Sequence, residues 1–482
     1  MSSRGTLVWT FVLTSVAAFM VNLDNLVVTM ALPSIRADLH AGLSQLEWTV
    51  NAYTLGFAVF LLTGAALGDR FGRRRVFAIG LSVFTLASAA AALAPNAELL
   101  IAARAVQGIG AATVLPLSLT ILSAAVPPTR RGAALGVWGG VSGLGVAVGP
   151  VVGGAVVQGA AWQWIFWLNV PIGLLAAPLA WRRLAETRGA PTRLDLLGVV
   201  LASGGFAGVV DGVIRGNAHG WTSVGVLGPI LGGVLLLAAF LVHERRTATP
   251  MLPLQLFRSR SFTAANLASV LFSFGMFGSI FLLAQSLQLV QGYGPLGAGL
   301  RTLPWTAMPL LIAPIAGPLT DRIGGRPLIV TGLALMAAGI AWIALVMSVS
   351  VSYASLVPAF VLAGVGMSLF FVPINTVVFG ATPVAQHGVA SGANNAIREI
   401  GGVFGVAVLA SVFSARGGYS SSASYVDGLR PAVLVGAAVV AAGAVAAAFI
   451  RSRRAEAAAA AVEADPADEV AGRPALALEQ VG

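Results

Sequence analysis

Lysine and cysteine are both absent from this chain of 482 residues. All 28 basic residues are arginine, so no lysine is available to hold ATP phosphates in a Walker A loop or to form a Schiff base. Without cysteine there are no disulfides or thiolate metal sites, and the four histidines show no HExxH or comparable metal-ligand spacing. We therefore expect a protein that works without ATP, pyridoxal phosphate, a structural metal or any other cofactor.

Charged residues are also scarce. They make up 10% of the chain, whereas hydrophobic residues make up 57% and the mean hydropathy is +0.89. Because soluble domains contain roughly 25% charged residues, the composition indicates an integral membrane protein surrounded by a lipid bilayer. The first apolar run, 7–32, is too long for the hydrophobic region of a signal peptide and is interpreted as a retained helix.

Apolar segments long enough to cross a bilayer recur along the sequence, separated by short polar or Gly/Pro-rich connections. The pattern predicts an all-α membrane protein with 14 transmembrane helices. The predicted spans are 7–32, 46–67, 76–94, 98–121, 133–157, 164–181, 195–214, 222–242, 262–290, 297–319, 327–348, 353–378, 390–414 and 431–450.

The arginines predict the orientation of these spans. With the N terminus in the cytoplasm, 21 arginines lie on the cytoplasmic side, and only Arg36, Arg215, Arg416 and Arg430 fall in outer loops. This satisfies the positive-inside rule with both termini cytoplasmic. It also accounts for the net charge of +10 without a nucleic-acid partner. The all-arginine, Ala- and Gly-rich composition is typical of a high-GC bacterium, so we expect a bacterial cytoplasmic membrane.

An internal repeat predicts two related halves. The stretch LGDRFGRR (67–74) recurs as LTDRIGGR (319–326), at an offset of 252 residues. A looser echo relates QGIGAA (107–112) to AGVGMS (363–368). The predicted divisions are a six-helix bundle at 1–181, two additional helices with their linkers at 182–261, a second six-helix bundle at 262–454, and a mobile, acidic, cytosolic tail at 455–482.

Five stretches within the first 173 residues carry a family resemblance. They are LDNLVVTMALPSI (23–35), LGDRFGRRR (67–75), RAVQGIGAA (104–112), GVAVGPVVGG (145–154) and WQWIFWLNVPIG (162–173). In combination they resemble the major facilitator superfamily, in particular its fourteen-span drug:proton antiporter branch. The resemblance implies the major facilitator fold, with two six-helix bundles plus two extra helices. It also implies a monomer that exports small amphipathic substrates in exchange for protons by alternating access.

Asp24 is a carboxylate inside the apolar first span, where it is flanked by Asn22 and Asn25. At about 1.5 Å of rise per residue, it lies at nearly the same depth as Arg104 in span four, so the two side chains could pair. The resemblance places both helices at a central cavity. We interpret Asp24 as the proton carrier and Arg104 as the residue that biases its charge, with the flanking asparagines and Gln107 lining the cavity. The alternative is that Arg104 snorkels outward as an anchor.

Span thirteen carries a second ionisable pair, Arg398 and Glu399, near mid-membrane. Neighbouring residues on a helix point about 100° apart, so these two need not contact each other. With Asn394 and Asn395 one turn earlier, they suggest a cavity lining, and Glu399 is the second candidate proton carrier. The family more often has glutamine at this position. The alternative is a buried structural network between helices.

The loop after span two is predicted to be a cytoplasmic gate. A positive-inside anchor with a turn glycine is the alternative, yet anchoring needs no Asp69, and the same D-R-x-G recurs at Asp321. The resemblance implies that this loop holds the cytoplasmic side closed through charge pairs. The candidate gate residues are Asp69, Arg70, Gly72, Arg73, Arg74, Asp321 and Arg322.

Span five contains glycines at intervals of four, which form a groove for a closely packed helix, and a proline that loosens the helix. A packing face is the simplest interpretation. In the superfamily that the chain resembles, this pattern is associated with exporters. The residues concerned are Gly145, Gly149, Pro150, Gly153 and Gly154.

Other polar and aromatic residues are given structural roles only. The stretch 162–173 is interpreted as an outer interface segment with three belt tryptophans. Glu47, Asp195 and Asp211 stand near helix ends, where exposure or capping would explain them.

Three functions compete with export. A proton-coupled symport importer of a small organic solute would share the fold. A membrane enzyme would need a nucleophile or metal constellation, and the sequence shows none. A sensor or scaffold that does not transport would usually carry a sizeable soluble domain, whereas the largest extramembrane piece here is the short acidic tail.

Overall fold

The computed structural model describes residues 3–127, 131–189, 194–248, 250–383 and 386–451. The predicted tail at 455–482 lies outside the described residues, as do Arg130, Arg193, Arg453 and Arg454. Every regular element in the described ranges is helical. Besides a short 3-10 helix (Leu254–Arg258), the helices are α1 (Ser3–Asp38), α2 (Leu43–Phe71), α3 (Arg73–Ala92), α4 (Ala97–Ala125), α5 (Arg131–Gly159), α6 (Trp164–Trp167), α7 (Asn169–Arg183), α8 (Leu196–His219), α9 (Val224–Arg246), α10 (Arg260–Leu289), α11 (Pro295–Thr306), α12 (Met308–Ile323), α13 (Gly325–Val346), α14 (Tyr353–Gly380), α15 (His387–Arg416) and α16 (Ser422–Ala447).

These helices make 14 segments that are long and apolar enough to cross a membrane. Each coincides with a predicted span, so the all-α fold and the number of spans are confirmed. Span six is α6 followed by α7, and span ten is α11 followed by α12. Span ten is interrupted where Pro309 stands in the first turn of α12, because proline lacks the backbone N–H that would continue the helix.

Several helix ends differ from the prediction by a few residues, and the differences are largest at the end of α1 and the start of α16. Helix α1 continues to Asp38, and α16 already begins at Ser422, whose N-cap Ser421 accepts a hydrogen bond from the Ser424 N–H at 3.1 Å. Arg36 and Arg416 therefore lie in the last turns of α1 and α15, Arg215 lies one turn before the end of α8, and Arg430 lies in the third turn of α16. This corrects the assignment of all four to outer loops. The error at α16 arose because Pro431 was taken as a helix start, whereas transmembrane helices tolerate internal proline.

We call α1–α7 the first half and α10–α16 the second half. The inner end is the end at which α1 begins, and the outer end is the opposite one. The halves contact each other toward the outer end, where Gln288 on α10 donates to the Met30 carbonyl at 3.0 Å and Thr306 on α11 donates to the Ala147 carbonyl at 3.2 Å. In contrast, a methyl group added at Gly139 or Gly143, toward the inner end of α5, would meet no atom within 4 Å.

The two remaining spans, α8 and α9, pack on each other through Gly205 and Gly233. At their inner ends Asp195 caps α8 by accepting from the Gly198 N–H at 2.8 Å, as predicted, and its Oδ1 lies 2.7 Å from His243 Nε2 on α9. Burial raises the pKa of Asp195, but the hydrogen bonds from Gly198 and His243 outweigh it, so the pKa lies below its usual range.

The repeated loop motif has the same backbone geometry in both halves. Gly72 lies between α2 and α3 with φ of 107°, and Gly324 lies between α12 and α13 with φ of 88°. In each case the glycine N–H closes the preceding helix, on Gly68 O at 3.0 Å and on Thr320 O at 2.9 Å. Both positions use a positive φ that side chains other than glycine rarely adopt.

Gly72→Ala and Gly324→Ala are each expected to lower the free energy of unfolding by about 1–3 kcal/mol, because alanine is strained in this backbone region. Thermal unfolding of the detergent-solubilised protein measures the effect. Gly139→Ala is the matched control, since it lies inside a helix with open space around it and should be neutral or slightly stabilising. Equal melting temperatures for all three variants would show that the two turns are not strained.

Candidate functional site

The buried polar centre of the first half is an ion pair between Asp24 on α1 and Arg104 on α4. Arg104 Nη1 lies 2.5 Å from Asp24 Oδ2, and the two side chains are 1% and 0% exposed. The equal depths expected from the sequence therefore correspond to a direct contact. A buried charged pair in an apolar bundle costs desolvation energy, so its remaining polar atoms must also find partners.

Three uncharged side chains complete the pair, and we call these five residues the Asp24 network. Asp24 Oδ1 accepts from Gln107 Nε2 at 2.9 Å and from Asn169 Nδ2 at 2.7 Å. Arg104 Nη1 also donates to Gln107 Oε1 at 2.7 Å. Ser88 Oγ accepts from both amides, at 3.3 and 3.1 Å. Both carboxylate oxygens are thus hydrogen-bonded, as a buried carboxylate requires.

The guanidinium of Arg104 is held by two further groups on α2. Its Nε donates to the Thr49 carbonyl at 3.3 Å, and its Cζ lies 4.2 Å from the centre of the Tyr53 ring. Tyr53 is itself fixed by a hydrogen bond from its hydroxyl to the Val21 carbonyl at 3.2 Å. A carbonyl and an aromatic face both favour a cation, so Arg104 keeps favourable contacts even without the carboxylate. The snorkelling alternative is wrong for this conformation, because the side chain is buried.

Sequence reasoning missed Ser88 and Asn169, which lie on α3 and α7. Asn169 belongs to the stretch 162–173, which was given a structural role only. The available signal was an amide inside an apolar span, a residue type that is expensive to bury without a partner. The belt prediction is wrong for Trp162, which is buried and donates to Asp38 Oδ2 at 2.7 Å, while Trp164 is exposed.

The cavity-lining prediction needs correction for part of the first half. Asp24, Arg104 and Gln107 are enclosed by first-half helices. Asn22 is half-buried and donates to Ser142 Oγ on α5 at 2.7 Å, and Asn25 is half-buried. Residues 22, 24 and 25 point in different directions because each step along a helix turns about 100°.

In the second half the predicted ionisable pair is in contact. Arg398 Nη2 lies 3.2 Å from Glu399 Oε1, and Glu399 is buried with its Oε2 unpartnered. Arg398 also stacks over Phe371 at 5.2 Å. Glu399 lies within Coulombic range of the Tyr53 hydroxyl in the first half. This carboxyl therefore lies near the Asp24 network, across the boundary between the halves.

The two asparagines of α15 differ in environment. Asn394 is buried and donates to Asn266 Oδ1 at 3.1 Å and to Ser269 Oγ at 2.9 Å, both on α10. It is a packing residue between helices, so its assignment to the cavity lining is corrected. Asn395 is half-buried and donates to the Ser391 carbonyl at 3.0 Å.

The contacts described for the first gate motif lie within the first half. Asp69 Oδ1 lies 2.7 Å from Arg73 Nη2, and Glu186, after α7, accepts from the Arg74 N–H at 3.0 Å. The Arg73 N–H donates to the Thr187 carbonyl at 2.9 Å. Arg70 is exposed, as are Asp321 and Arg322 of the second copy. The motif therefore fastens the α2–α3 turn to the segment after span six.

The glycines of α5 allow close packing on two faces of the helix. A Cβ at Gly145 would lie 2.7 Å from the Phe19 carbonyl of α1, and one at Gly153 would lie 2.6 Å from the Val27 carbonyl. Gly149 follows the same face and approaches Leu26. On the other face, Gly154 and Pro150 approach the backbone of α11 at Pro295 and Gly299. The helix thus packs closely against α1 and against the second half at once.

Glu47 contradicts the sequence interpretation. It lies in the second turn of α2 but is only 2% exposed, and it has no hydrogen bond or ion pair in the described structure. Asp211 is partly exposed and pairs with Arg215 at 2.9 Å, as its position near a helix end suggested.

Comparison with known proteins agrees with this architecture. The sequence profile of the Major Facilitator Superfamily matches residues 14–310 and again 266–479. Multidrug resistance protein Stp of Mycobacterium tuberculosis is 38% identical, over 84% of this chain and 76% of its own length. The tetracenomycin C resistance and export protein of Streptomyces glaucescens is 36% identical over 85% and 76%. The cephamycin export protein CmcT of Amycolatopsis lactamdurans is 40% identical over 85% and 86%.

Solved structures share the fold at low identity. A bacterial homolog of the human lysosomal transporter Spinster superposes with a TM-score of 0.68 at 16% identity, covering 92% of this chain and 97% of that one. The xylose transporter XylE of E. coli superposes with a TM-score of 0.62 at 14% identity, covering 93% and 98%. Profile, relatives and fold agree: the chain belongs to the Major Facilitator Superfamily and is a multi-pass membrane transporter of small molecules, not an enzyme.

Proposed function

We propose that this transporter exports amphipathic organic compounds from the cytoplasm in exchange for protons, with Asp24 as the coupling carboxylate. The observation that carries the proposal is the fully buried Asp24–Arg104 pair in an otherwise apolar bundle. Ionisable groups at membrane depth are costly and usually functional. Arg104 would act as a positioning residue, and Glu399 would assist from the second half.

The coupling follows from the two charge states of Asp24. The guanidinium and two amide donors favour the carboxylate, whereas burial favours the neutral acid. A proton on Asp24 would remove the ion pair and one acceptor, while Arg104 would keep Gln107 Oε1, the Thr49 carbonyl and the Tyr53 ring. Protonation would therefore loosen α1 from α4 and α7 without stranding the cation.

Two observations support export rather than import: the descriptions of the relatives and the close packing of the glycine faces of α5. Three of the relatives named above are described as resistance or export proteins. Helix α5 joins α1, which carries Asp24, to the second half through its glycine faces. A change in the position of α1 would thus be transmitted to the boundary along which the halves must part during alternating access.

The surface between the halves is apolar next to α1, α5, α10 and α11, as contact with the apolar part of an amphipathic substrate would require. A cavity of about 20 Å³ there, which is too small for cargo in this conformation, is lined by apolar side chains that include Leu26, Ile280, Trp305 and Phe360. Phe281 and Phe370, by contrast, are fully buried in the second half and are not available to cargo in this conformation.

We infer that the inner end faces the cytoplasm and that the protein works as a monomer, with the α2–α3 and α12–α13 turns as inner gates. The excess of arginine at the inner end supports this orientation. In the conformation described, Asp69 and Glu186 hold the first of these turns.

The test is transport by wild-type protein in inverted membrane vesicles with a panel of amphipathic dyes. A pH gradient, acid inside, should drive dye accumulation, and a protonophore should abolish it. Accumulation that is insensitive to the gradient would refute proton antiport. Dye loss from preloaded vesicles under the same gradient would instead favour the symport importer.

A further inference from the structure

Two neighbouring side chains on α2 are buried without partners. Glu47 is 2% exposed and its Oε2 is fully enclosed, and Asn51 is 1% exposed with neither amide atom hydrogen-bonded. Buried polar groups in proteins are nearly always hydrogen-bonded, so two orphans one helical turn apart require an explanation. Neither belongs to the Asp24 network.

Both orphans lie on the face of α2 that meets the second half. Residues 47, 51, 55 and 59 recur every four positions and so share one side of the helix. Leu55 and Val59 of this side pack in one apolar cluster with Val403 and Ala407 of α15. Helix α2 starts at the outer end, so Glu47 lies in the outer part of the boundary between the halves.

No cation neutralises Glu47 in the described structure. Arg36 on α1 is held elsewhere, with its Cζ 3.7 Å from the centre of the Tyr419 ring. Tyr419 lies within Coulombic range of Glu47 and donates to Gln285 Oε1 at 2.8 Å. Burial raises the pKa of Tyr419, so its hydroxyl stays neutral. None of the other charged or histidine side chains toward this end has a hydrogen bond or ion pair with Glu47 in the described structure. They are Asp38, His40, Glu98, Asp211, Arg215, His219, Arg301, Arg416, Asp427 and Arg430.

We propose that Glu47 is a further proton-binding carboxyl, which takes up a proton from the external side as the outer end closes. An ionised carboxylate without a partner costs several kcal/mol in an apolar interface, so the closed conformation selects the neutral acid. When the halves part at the outer end, water reaches Glu47. A hydrated glutamate has a pKa of about 4.3 and is ionised near neutral pH. Closure therefore binds one proton.

This inference rests on the proposed alternating-access antiport, and it deepens it. Asp24, assisted by Glu399, would carry the proton across the membrane. Glu47 would take up its proton from the external side on closing and return it there on opening, so it would make closure depend on external pH without carrying net proton flux. Because one proton is bound on closure, the closing equilibrium should change about tenfold for each unit of external pH. An acidic exterior would shift the equilibrium toward the outer-closed conformation.

The natural absence of cysteine makes a direct test possible. Leu287 on α10 is 1% exposed and packs in one cluster with Met30 of α1, across the boundary. A single Leu287→Cys substitution would report outer opening through its reaction with a membrane-impermeant maleimide added outside. Thr222→Cys, in the exposed connection between α8 and α9, corrects for the pH dependence of the thiol reaction.

With Glu47 present, normalised labelling of Leu287→Cys should rise steeply as external pH is raised through neutrality. Glu47→Gln should make this pH dependence shallower: the change in normalised labelling should fall by about a factor of ten for each pH unit, because a neutral amide takes up no proton. Glu98→Gln is the matched control, since Glu98 is an exposed glutamate at the same end, and it should leave the slope unchanged. Glu47→Met, which is apolar and of similar size, replaces Glu47→Gln if that variant fails to insert.

The outcomes separate this inference from the proposed function. A wild-type slope in both Glu47 variants overturns the inference, even if vesicle transport proves to be proton-driven. A reduced slope in these variants supports it, and the same reduction should appear in an Asp24→Asn background. Vesicle transport that needs no pH gradient would refute antiport, whatever the labelling shows.

Discussion

Asp24→Asn is expected to reduce proton-driven efflux to the level measured without a pH gradient, while substrate exchange across the membrane continues. Asparagine preserves the size of the side chain and mimics the protonated acid, but it cannot release a proton. The variant should still bind substrate and change conformation, because the amide can accept from Gln107 or Asn169 as the carboxylate does. The variant loses only the coupling between substrate movement and proton movement.

The measurement compares uphill dye accumulation with dye-for-dye exchange in the same inverted vesicles. Asp211→Asn serves as the control, since this carboxylate pairs with Arg215 near the outer end of α8, away from the Asp24 network. It should retain both activities. If uphill accumulation by Asp24→Asn equals that of the wild type under a demonstrated proton drive, Asp24 is not the coupling residue.

Arg104→Met is expected to lower the free energy of unfolding by about 3–5 kcal/mol, the usual cost of breaking a buried ion pair from one side. The substitution leaves the Asp24 carboxylate with two amide donors and no cation. It also removes the packing of the guanidinium on Tyr53 and its hydrogen bond to the Thr49 carbonyl. The protein should recover part of this energy by keeping Asp24 protonated.

Denaturant-induced or thermal unfolding of the detergent-solubilised protein measures the loss of stability. The double variant Asp24→Asn with Arg104→Met removes both charges, so it should be more stable than Arg104→Met alone although still uncoupled. Arg215→Met breaks an exposed pair and should cost no more than about 1 kcal/mol. Similar stabilities for the Arg104 and Arg215 variants would mean that the buried pair contributes little to the fold.

The sequence alone predicted the fold and the pair at its centre. A transmembrane span must be a run of apolar residues because lipid offers the backbone no hydrogen bonds, so span number can be read from composition. The repeat predicted equivalent turns, and Gly72 and Gly324 share a positive φ. Asp24 and Arg104 were recognisable because each is a charge that lipid would not tolerate, and their depths followed from the helical rise.

The partners of that pair were harder to predict. Asn169 and Ser88 are uncharged and occur in spans whose sequence otherwise indicates packing. Their role depends on α3 and α7 turning the right faces toward α1, which no local pattern specifies. For the same reason Asn394 was assigned to a cavity, whereas it is hydrogen-bonded to α10.

Glu47 shows most clearly what only the tertiary structure decided. Its position near a helix end predicted exposure, since helix ends usually reach the membrane surface. It is buried instead, on the side of α2 whose Leu55 and Val59 pack against α15. Sequence by itself determined that this chain spans the membrane fourteen times and carries charges within the bilayer, because transfer energies depend on residue type. Which charges are paired, enclosed or left without a partner depended on contacts between distant spans, because burial is set by the packing of helices far apart in the chain.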